Sequence, residues 1–270
     1  KYKNGVQKVL ATMIEEVMEF LPRKVGSKAF DPTAEYSDEL TDYDPDALVA
    51  NINMDAATAA MYGISQKELR HMVGESGSEM ASELTGQVGV QVAFDIDNEA
   101  TVEAINKMSR NVAKDVPRTA SKDIRQRLIR NKQRGGTVAE LAGELSRMRR
   151  NRPDSWSDNR AKLVARTETA IAMNQGRLLS MKQSGVVKGK IFAPAPDACQ
   201  LCMAVAKKFK DAIALDDPFF SKGEVLVYAQ GKEFHFNYMT VEAGTIHPNC
   251  RCTVKALPLT MSELAERYKD

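Results

Sequence analysis

The chain contains one Trp in 270 residues, and aromatic residues make up only 6% of it. β-Sandwiches and barrels use aromatic and β-branched side chains to fill a pleated, half-buried surface, so this scarcity favours helix. No run of 18 apolar residues occurs, which excludes a membrane-crossing helix of ordinary composition. There are three histidines, so imidazole chemistry is confined to His71, His235 and His247. Neither G-x-x-x-x-G-K-[ST] nor G-x-G-x-x-G is present, and nucleotide-driven work has no support. A charged start followed by a short apolar core is also missing, so no secretory signal is expected. The chain opens with Lys1 rather than Met, and the origin of that start is left open. Net charge is close to nil at +2, which alone calls for no polyanionic partner.

What is there is ordinary in amount and uneven in placement. Hydrophobic residues are 43% and charged residues 27%, as in soluble proteins, and mean hydropathy is −0.38. A chain of this length can bury a substantial core. From Asp31 to Asp55 there are eight acidic residues and no Lys or Arg, whereas Arg118 to Arg152 holds eleven basic and three acidic residues. A charge-segregated molecule follows. The acidic stretch reads either as a docking surface for basic residues of a partner or as a solvated linker. The basic stretch is a solvated helix face or a surface for phosphate or an acidic protein. With few aromatics among its charges, it is poorly suited to stacking single-stranded bases.

Helical periodicity dominates the first two-thirds. Val9, Leu10, Met13, Val17 and Phe20 predict a helix over Gln7 to Phe20, stopped by Pro22 and Gly26. Asp44 as N-cap with Pro45 in the first turn predicts a helix to Tyr62, closed by Gly63. Ser76 to Gly89 is Gly-rich and ambiguous. Asp95 to Glu99 resembles the start of a calcium loop, but its sixth and twelfth positions are Ala100 and Asn106, so calcium is rejected. Asp97 instead predicts an N-cap for a helix to Val116. Pro117 is expected to open the next helix, with Ala120, Ile124 and Leu128 inward, broken by Gly135-Gly136.

Thr137 and Glu140 form a capping box for a helix that buries Val138, Leu141, Ala142, Leu145 and Met148. After a short linker around Pro153, Ser155 and Asp158 read as a second box. The following helix carries a stripe of Leu163, Thr167, Ala170, Ile171, Asn174, Leu178 and Met181, and Gly185 is its left-handed cap. Past Gly185 come short β-like runs at Gly189–Ala193, Glu224–Tyr228, Glu233–Tyr238 and Arg251–Leu257, with a hairpin turn at Ala229 to Lys232. The expected fold is mainly α with a small α+β C-terminal module. The expected divisions are a helical region over 1–116, a helical part over 117–185 and a cysteine-bearing module over 186–270.

All four cysteines lie in that module, as Cys199-x-x-Cys202 and Cys250-x-Cys252, with His247 three residues before Cys250. Zn²⁺ takes four thiolate or imidazole ligands in a tetrahedron. A C-x-x-C turn aims both sulfurs at one point, and residues two apart on a strand face the same way. Five candidates therefore compete for four places, with the four thiols favoured and His247 either replacing one or supporting from behind. Disulfide pairing and plain buried thiols remain the alternatives. The size of the lobe favours metal: about 75 residues rich in Gly and Pro are expected to bury too little apolar surface. Cys–His catalysis is disfavoured because neighbouring thiols would trap the nucleophile, and His235 between two Phe reads as structural.

The run Ala165-Arg166-Thr167-Glu168, then Asn174 and Gly176, then Asp197-x-Cys199-x-x-Cys202 and a closing His247-Pro-Asn-Cys-Arg-Cys252 resembles the phage Mu F-like minor head proteins. That family includes the portal-associated head morphogenesis proteins of tailed phages. The Gly136 to Leu145 helix is similar too, and the resemblance covers about Arg118 to Pro258. Two departures stand out. Phe192 occupies the strand position where the family has Trp, and 47 residues separate Cys202 from Cys250, so a hairpin around Val225 to Tyr238 reads as an insertion.

The resemblance implies a structural minor head protein in the virion, inside the capsid near the portal, and in the host cytoplasm during assembly. Its implied partners are the portal protein and, further, the major capsid or scaffolding protein. Packaged DNA is a further contact through the basic segment. No membrane or small-molecule substrate is implied, and no enzymatic activity. Arg166 and Glu168 would be structural, with Arg166 pairing to an Asn or Glu about one turn away. Two rival classes stand beside this: a nucleic-acid-binding module using the basic helices, and a toxin-type transferase or thiol enzyme.

Overall fold

The computed structural model describes residues 1–21, 43–150 and 155–269. Residues 31–42 of the acidic stretch, the stops at Pro22 and Gly26 and the linker around Pro153 lie outside them. Among the described residues there are eight α-helices and two antiparallel two-stranded sheets. The fold is mainly helical, at 63%, with a small sheet-bearing C-terminal module. The chain forms two compact units, one from Lys1–Gln66 with Ser109–Ala165, the other from Lys67–Met108 with Arg166–Asp270.

The first unit contains α1 (Tyr2–Glu19), α2 (Pro45–Ala50) and α5 (Val138–Arg149), and parts of α3 (Met54–Val88), α4 (Glu99–Gln133) and α6 (Trp156–Ser184). Helix α1 buries Val6, Val9, Leu10, Met13, Ile14 and Val17 on one stripe and packs against α5. Helix α5 starts at the expected capping box: Glu140 N–H donates to Thr137 Oγ1 and Thr137 N–H to the Glu140 carboxylate. All five of its predicted core residues are buried. Buried Asp158 accepts from Lys3 at 2.6 Å and Lys162 at 2.7 Å, and its N–H donates to Ser155 Oγ at the start of α6.

Four helix boundaries differ from expectation. Asp44 does cap α2, accepting from Asp46 N–H, but that helix ends at Ala50. Helix α3 begins at Met54 and runs straight through Gly63 and the ambiguous stretch, ending before Gly89 at φ +69°. A helical Gly costs only about 1 kcal/mol against Ala, less than burying one large side chain such as the neighbouring Met61 contributes. Pro117 lies inside α4 rather than at a start. The buried row Val112, Val116, Ala120, Ile124 and Leu128 crosses it without a phase break, so one continuous helix keeps every contact. At the beginning of α4 it is Asn98 that accepts from Ala100 N–H, while Asp97 pairs with Arg70.

The second unit adds β1 (Val187–Ala193), α7 (Gln200–Lys208), β2 (Val225–Tyr228), β3 (Lys232–His235), β4 (Thr253–Pro258) and α8 (Met261–Arg267). Strand β1 pairs with β4 from Val187↔Pro258 to Ala193↔Thr253, with an irregularity after Val187. Strands β2 and β3 form the hairpin, turned by Gln230 at φ 61° and Gly231 at φ 77°.

The lobe is not poorly cored, contrary to expectation. Met80, Leu84 and Val88 of α3 and Met181 of α6 join Phe192, Val205, Phe219, Phe220, Phe236, Val254 and three of the cysteines in one buried cluster. Phe220 stacks on Phe236 at 3.9 Å, and Phe209 meets Phe219 and Phe220 edge-on. Helices drawn from earlier in the chain supply the apolar surface that the last 85 residues lack by themselves. At the α3–α6 crossing a Cβ on Gly176 would stand 2.5 Å from the Val73 carbonyl, so the helices meet there only because position 176 has no side chain.

Candidate metal centre

Two short segments meet next to the β1–β4 sheet. The first leaves β1, passes Ala195 and Asp197 and enters α7, with Cys199 as the N-cap residue and Cys202 in the first turn. Leu201, Cys202 and Val205 are buried on this helix, and Lys207 and Lys208 close it. The pattern was legible in Cys199-Gln-Leu-Cys-Met-Ala-Val-Ala-Lys-Lys208, but the cysteine spacing was read as a turn. The second segment runs from Thr245 to Cys252 into β4. Cys250 and Cys252 precede that strand instead of lying on it, so strand alternation does not set their directions. Asn249 at φ 60° turns the chain between His247 and Cys250.

All five candidate residues come together. The donor atoms form two overlapping triads, Cys199–Cys202–His247 and Cys202–Cys250–Cys252, each within 4.8 Å. Cys202 is common to both. His247 Nε2 lies 3.3 Å from Cys199 Sγ and 3.2 Å from Cys202 Sγ, and Cys202 Sγ lies 3.7 Å from Cys250 Sγ. Cys202, Cys250 and Cys252 are buried, and Cys199 is exposed. His247 Nδ1 is 2.7 Å from the Pro248 carbonyl, which can only accept. The Nδ1 proton is thereby fixed and the Nε2 lone pair is left facing the sulfurs, the tautomer a metal ligand needs. Ala195 N–H donates to Cys252 Sγ at 3.5 Å.

The thiols divide, Cys199 and Cys250 being lowered and Cys202 and Cys252 raised. Burial pushes the Cys199 thiol up, but the Cys202 backbone and side chain and His247 outweigh it and lower it. The hydrogen bond from Cys202 pulls Cys250 down to about 5, against its own burial, while the same bond raises Cys202. A divalent cation beside these two sulfurs would stabilise both as thiolates. Burial opposes a charge on His247, yet the Pro248 carbonyl and the Cys250 and Cys199 sulfurs raise its pKa. Burial raises Cys252.

Asn174 of α6 locks the second segment in place. Its Nδ2 donates to the Ala170 carbonyl, Thr245 Oγ1 and the Cys252 carbonyl, each at 3.0 Å. Its Oδ1 accepts from Thr253 Oγ1 at 2.9 Å and Val254 N–H at 3.0 Å. Two turns earlier, Thr167 Oγ1 accepts from Asn249 N–H at 3.2 Å. Arg251 pairs with Asp197, joining the two segments at the surface. Glu168 is buried and accepts from Tyr238 OH at 3.5 Å, whereas Arg166 is exposed and makes no ion pair among the described residues. Thr167, Glu168, Asn174 and Gly176 are thus the parts of α6 that hold the cysteine segments and the crossing helix.

These residues fall inside one sequence family. A family model described as Phage Mu protein F like protein matches residues 122–255. Over that span the chain belongs to the Phage Mu protein F like family. The match takes in the end of α4, all of α5, α6 and α7, and both halves of the cysteine cluster. No curated protein and no solved structure matches the chain. Membership suggests a bacteriophage head protein, a structural class, and the cluster could bind a metal. No described helix is long and apolar enough to cross a membrane.

Proposed function

We propose that this chain is a structural minor head protein of a tailed bacteriophage, bound to the portal or the inner capsid wall and acting in head morphogenesis. The observation that carries it is the family match over residues 122–255. In support, the elements covered by that match are built for rigidity. The hydrogen bonds of Asn174 are spent on backbone and neighbouring hydroxyls, and buried Glu168 is placed against Tyr238. Mass spectrometry of purified heads tests the proposal. The protein should be present in few copies and stay with the portal when heads are dissociated. Its absence from purified heads would overturn the assignment.

In this proposal the cysteine cluster holds zinc through Cys199, Cys202, His247 and Cys250, with Cys252 behind them as a core thiol tied to Ala195. Tetrahedral zinc separates two sulfurs by about 3.8 Å and a sulfur from a nitrogen by about 3.6 Å. The 3.7 Å between Cys202 and Cys250, and the 3.2 and 3.3 Å from His247, are three of the six edges and close to these lengths, while Cys250 stands in the other triad and would have to close on Cys199 and His247 as metal binds. Bound metal would join α7 to the segment before β4 and add to a core that already exists. Elemental analysis should give about one zinc per chain. His247→Ala should lose it and Cys252→Ala retain it, with Cys250→Ala losing it under either ligand set; retention in His247→Ala together with loss in Cys252→Ala would restore the four-thiol set.

A further inference from the structure

The basic stretch sorts its charges by face. Arg127 and Arg134 pair with Glu144, Arg149 with Glu15, and Arg125 forks onto Asp46, all within the first unit. These arginines tie its helices together, and through Asp46 they neutralise part of the acidic stretch. The outward face of α4 is different. Of the ten exposed positions from Arg110 to Gln133, seven are Lys or Arg, three are Asn or Gln and none is acidic. The two carboxylates in that span, Asp115 and Asp123, are half-buried and engaged by Arg118 at 2.6 Å and Arg160 at 3.8 Å. Lys114, Arg118, Lys122, Gln126 and Arg130 recur every four residues along an inclined ridge that winds about 160° around the helix, as a groove-following contact would. Lys114, Lys122 and Arg130 have no carboxylate partner among the described residues.

We propose that this face of α4 binds the phosphate backbone of duplex DNA without reading its sequence. A solvated helix of ordinary function intersperses both signs on its exposed face. On α4 itself the exposed positions carry one sign and amides alone over about 35 Å of helix, close to one turn of B-form duplex, and the carboxylate set against them is Asp46 of α2 beside Arg125. Lys, Arg, Asn and Gln are side chains that donate to phosphate oxygens. No aromatic residue stands on this face to stack an unpaired base, so duplex is favoured over single strands. The face does not use the cysteine cluster, so this proposal and the head assignment stand or fall separately.

The test is fluorescence anisotropy of the full chain with a 30-base-pair duplex across a salt series, beside the variant Lys114→Gln/Lys122→Gln/Arg130→Gln. Gln suits exposed helix positions, and circular dichroism verifies that the variant stays folded. The wild type should bind at low salt and weaken steeply as salt rises. The variant should bind at least ~10-fold more weakly, with a log–log salt slope smaller by roughly 3, because each lost phosphate contact removes about 0.9. Absence of wild-type binding at low salt, or a variant that binds equally well, overturns the proposal. Tighter binding to a single strand, or equal competition by polyglutamate, also overturns it, the latter marking the face as one for an acidic protein.

Discussion

Asn174 shows how much one side chain can hold. Its amide is buried and joins α6 to Thr245, Cys252, Thr253 and Val254, so its removal leaves the Val254 N–H and the Cys252 carbonyl buried without these partners. Such groups cost about 1–3 kcal/mol each. Asn174→Ala should therefore lower stability by about 2–4 kcal/mol in urea unfolding. It should also speed chelator access to the cysteines, since the Cys252 segment loses its anchor.

Lys190 makes a second residue-scale prediction. It is wholly buried on β1, its Nζ donates to the Leu215 carbonyl at 2.8 Å, and it stands 5.5 Å from the centre of the Phe219 ring. Burial first, and then Lys182, lower its pKa to about 8, against the opposing pull of Glu242, Asp216 and Asp217. An unfolded lysine titrates near 10.4, so between about pH 8 and 10.4 the unfolded chain binds more protons and stability rises with pH. Below pH 8 both states are charged and the full burial cost is felt. Lys190→Met should flatten that rise in denaturant midpoints measured from pH 7 to 10.5. An unchanged pH profile in the variant would assign the rise to other groups.

At the scale of elements, helix starts and stops were largely written in local sequence. The Thr137–Glu140 box, the Gly135 and Gly185 stops and the buried row of α5 are where their chemistry puts them. Gly63 and Pro117 misled because each is a breaker only by its local cost of about 1–3 kcal/mol. Burial of Met61 beside Gly63, and of Val116 and Ala120 around Pro117, outweighs that cost. Gly176 worked the other way. Nothing local shows that the Val73 backbone crosses it, yet a Cβ there would meet backbone atoms at 2.5 Å. Gly176→Ala should cost about 1–3 kcal/mol in thermal or urea unfolding by overpacking, in contrast to the gain usual for Gly→Ala in a helix.

For the molecule as a whole, the separation of the two units within one chain predicts a divided response to metal. Cys202 belongs to both triads, and Cys202→Ser should abolish metal binding. Hydrogen exchange should then quicken in β1, α7 and the segment leading into β4, while α1 and α5 keep their protection. Because the Phe220–Phe236 cluster and the α3 contribution remain, the second unit should loosen rather than unfold. Metal at a thousandfold excess over its Kd should restore about 4 kcal/mol to the wild type and nothing to the variant. Equal exchange with and without metal would mean that the cluster is no staple.

The sequence by itself determined the helical class, the capping boxes, the left-handed stops, the strand-like runs and the five candidate ligands. Each rests on a short-range free energy or a side-chain chemistry that a few neighbouring residues carry. Only the tertiary structure decided that Cys250 and Cys252 stand ahead of β4, that Cys202 is common to both triads and that α3 completes the core of the cysteine-bearing lobe. It also decided which charges of the basic stretch turn inward to carboxylates and which face solvent. Those outcomes depend on contacts between residues far apart in the chain, such as Arg149 with Glu15 at 134 positions and Cys202 with Cys250 at 48. Their favourable energy appears only after the intervening chain has been ordered, so no local pattern records it.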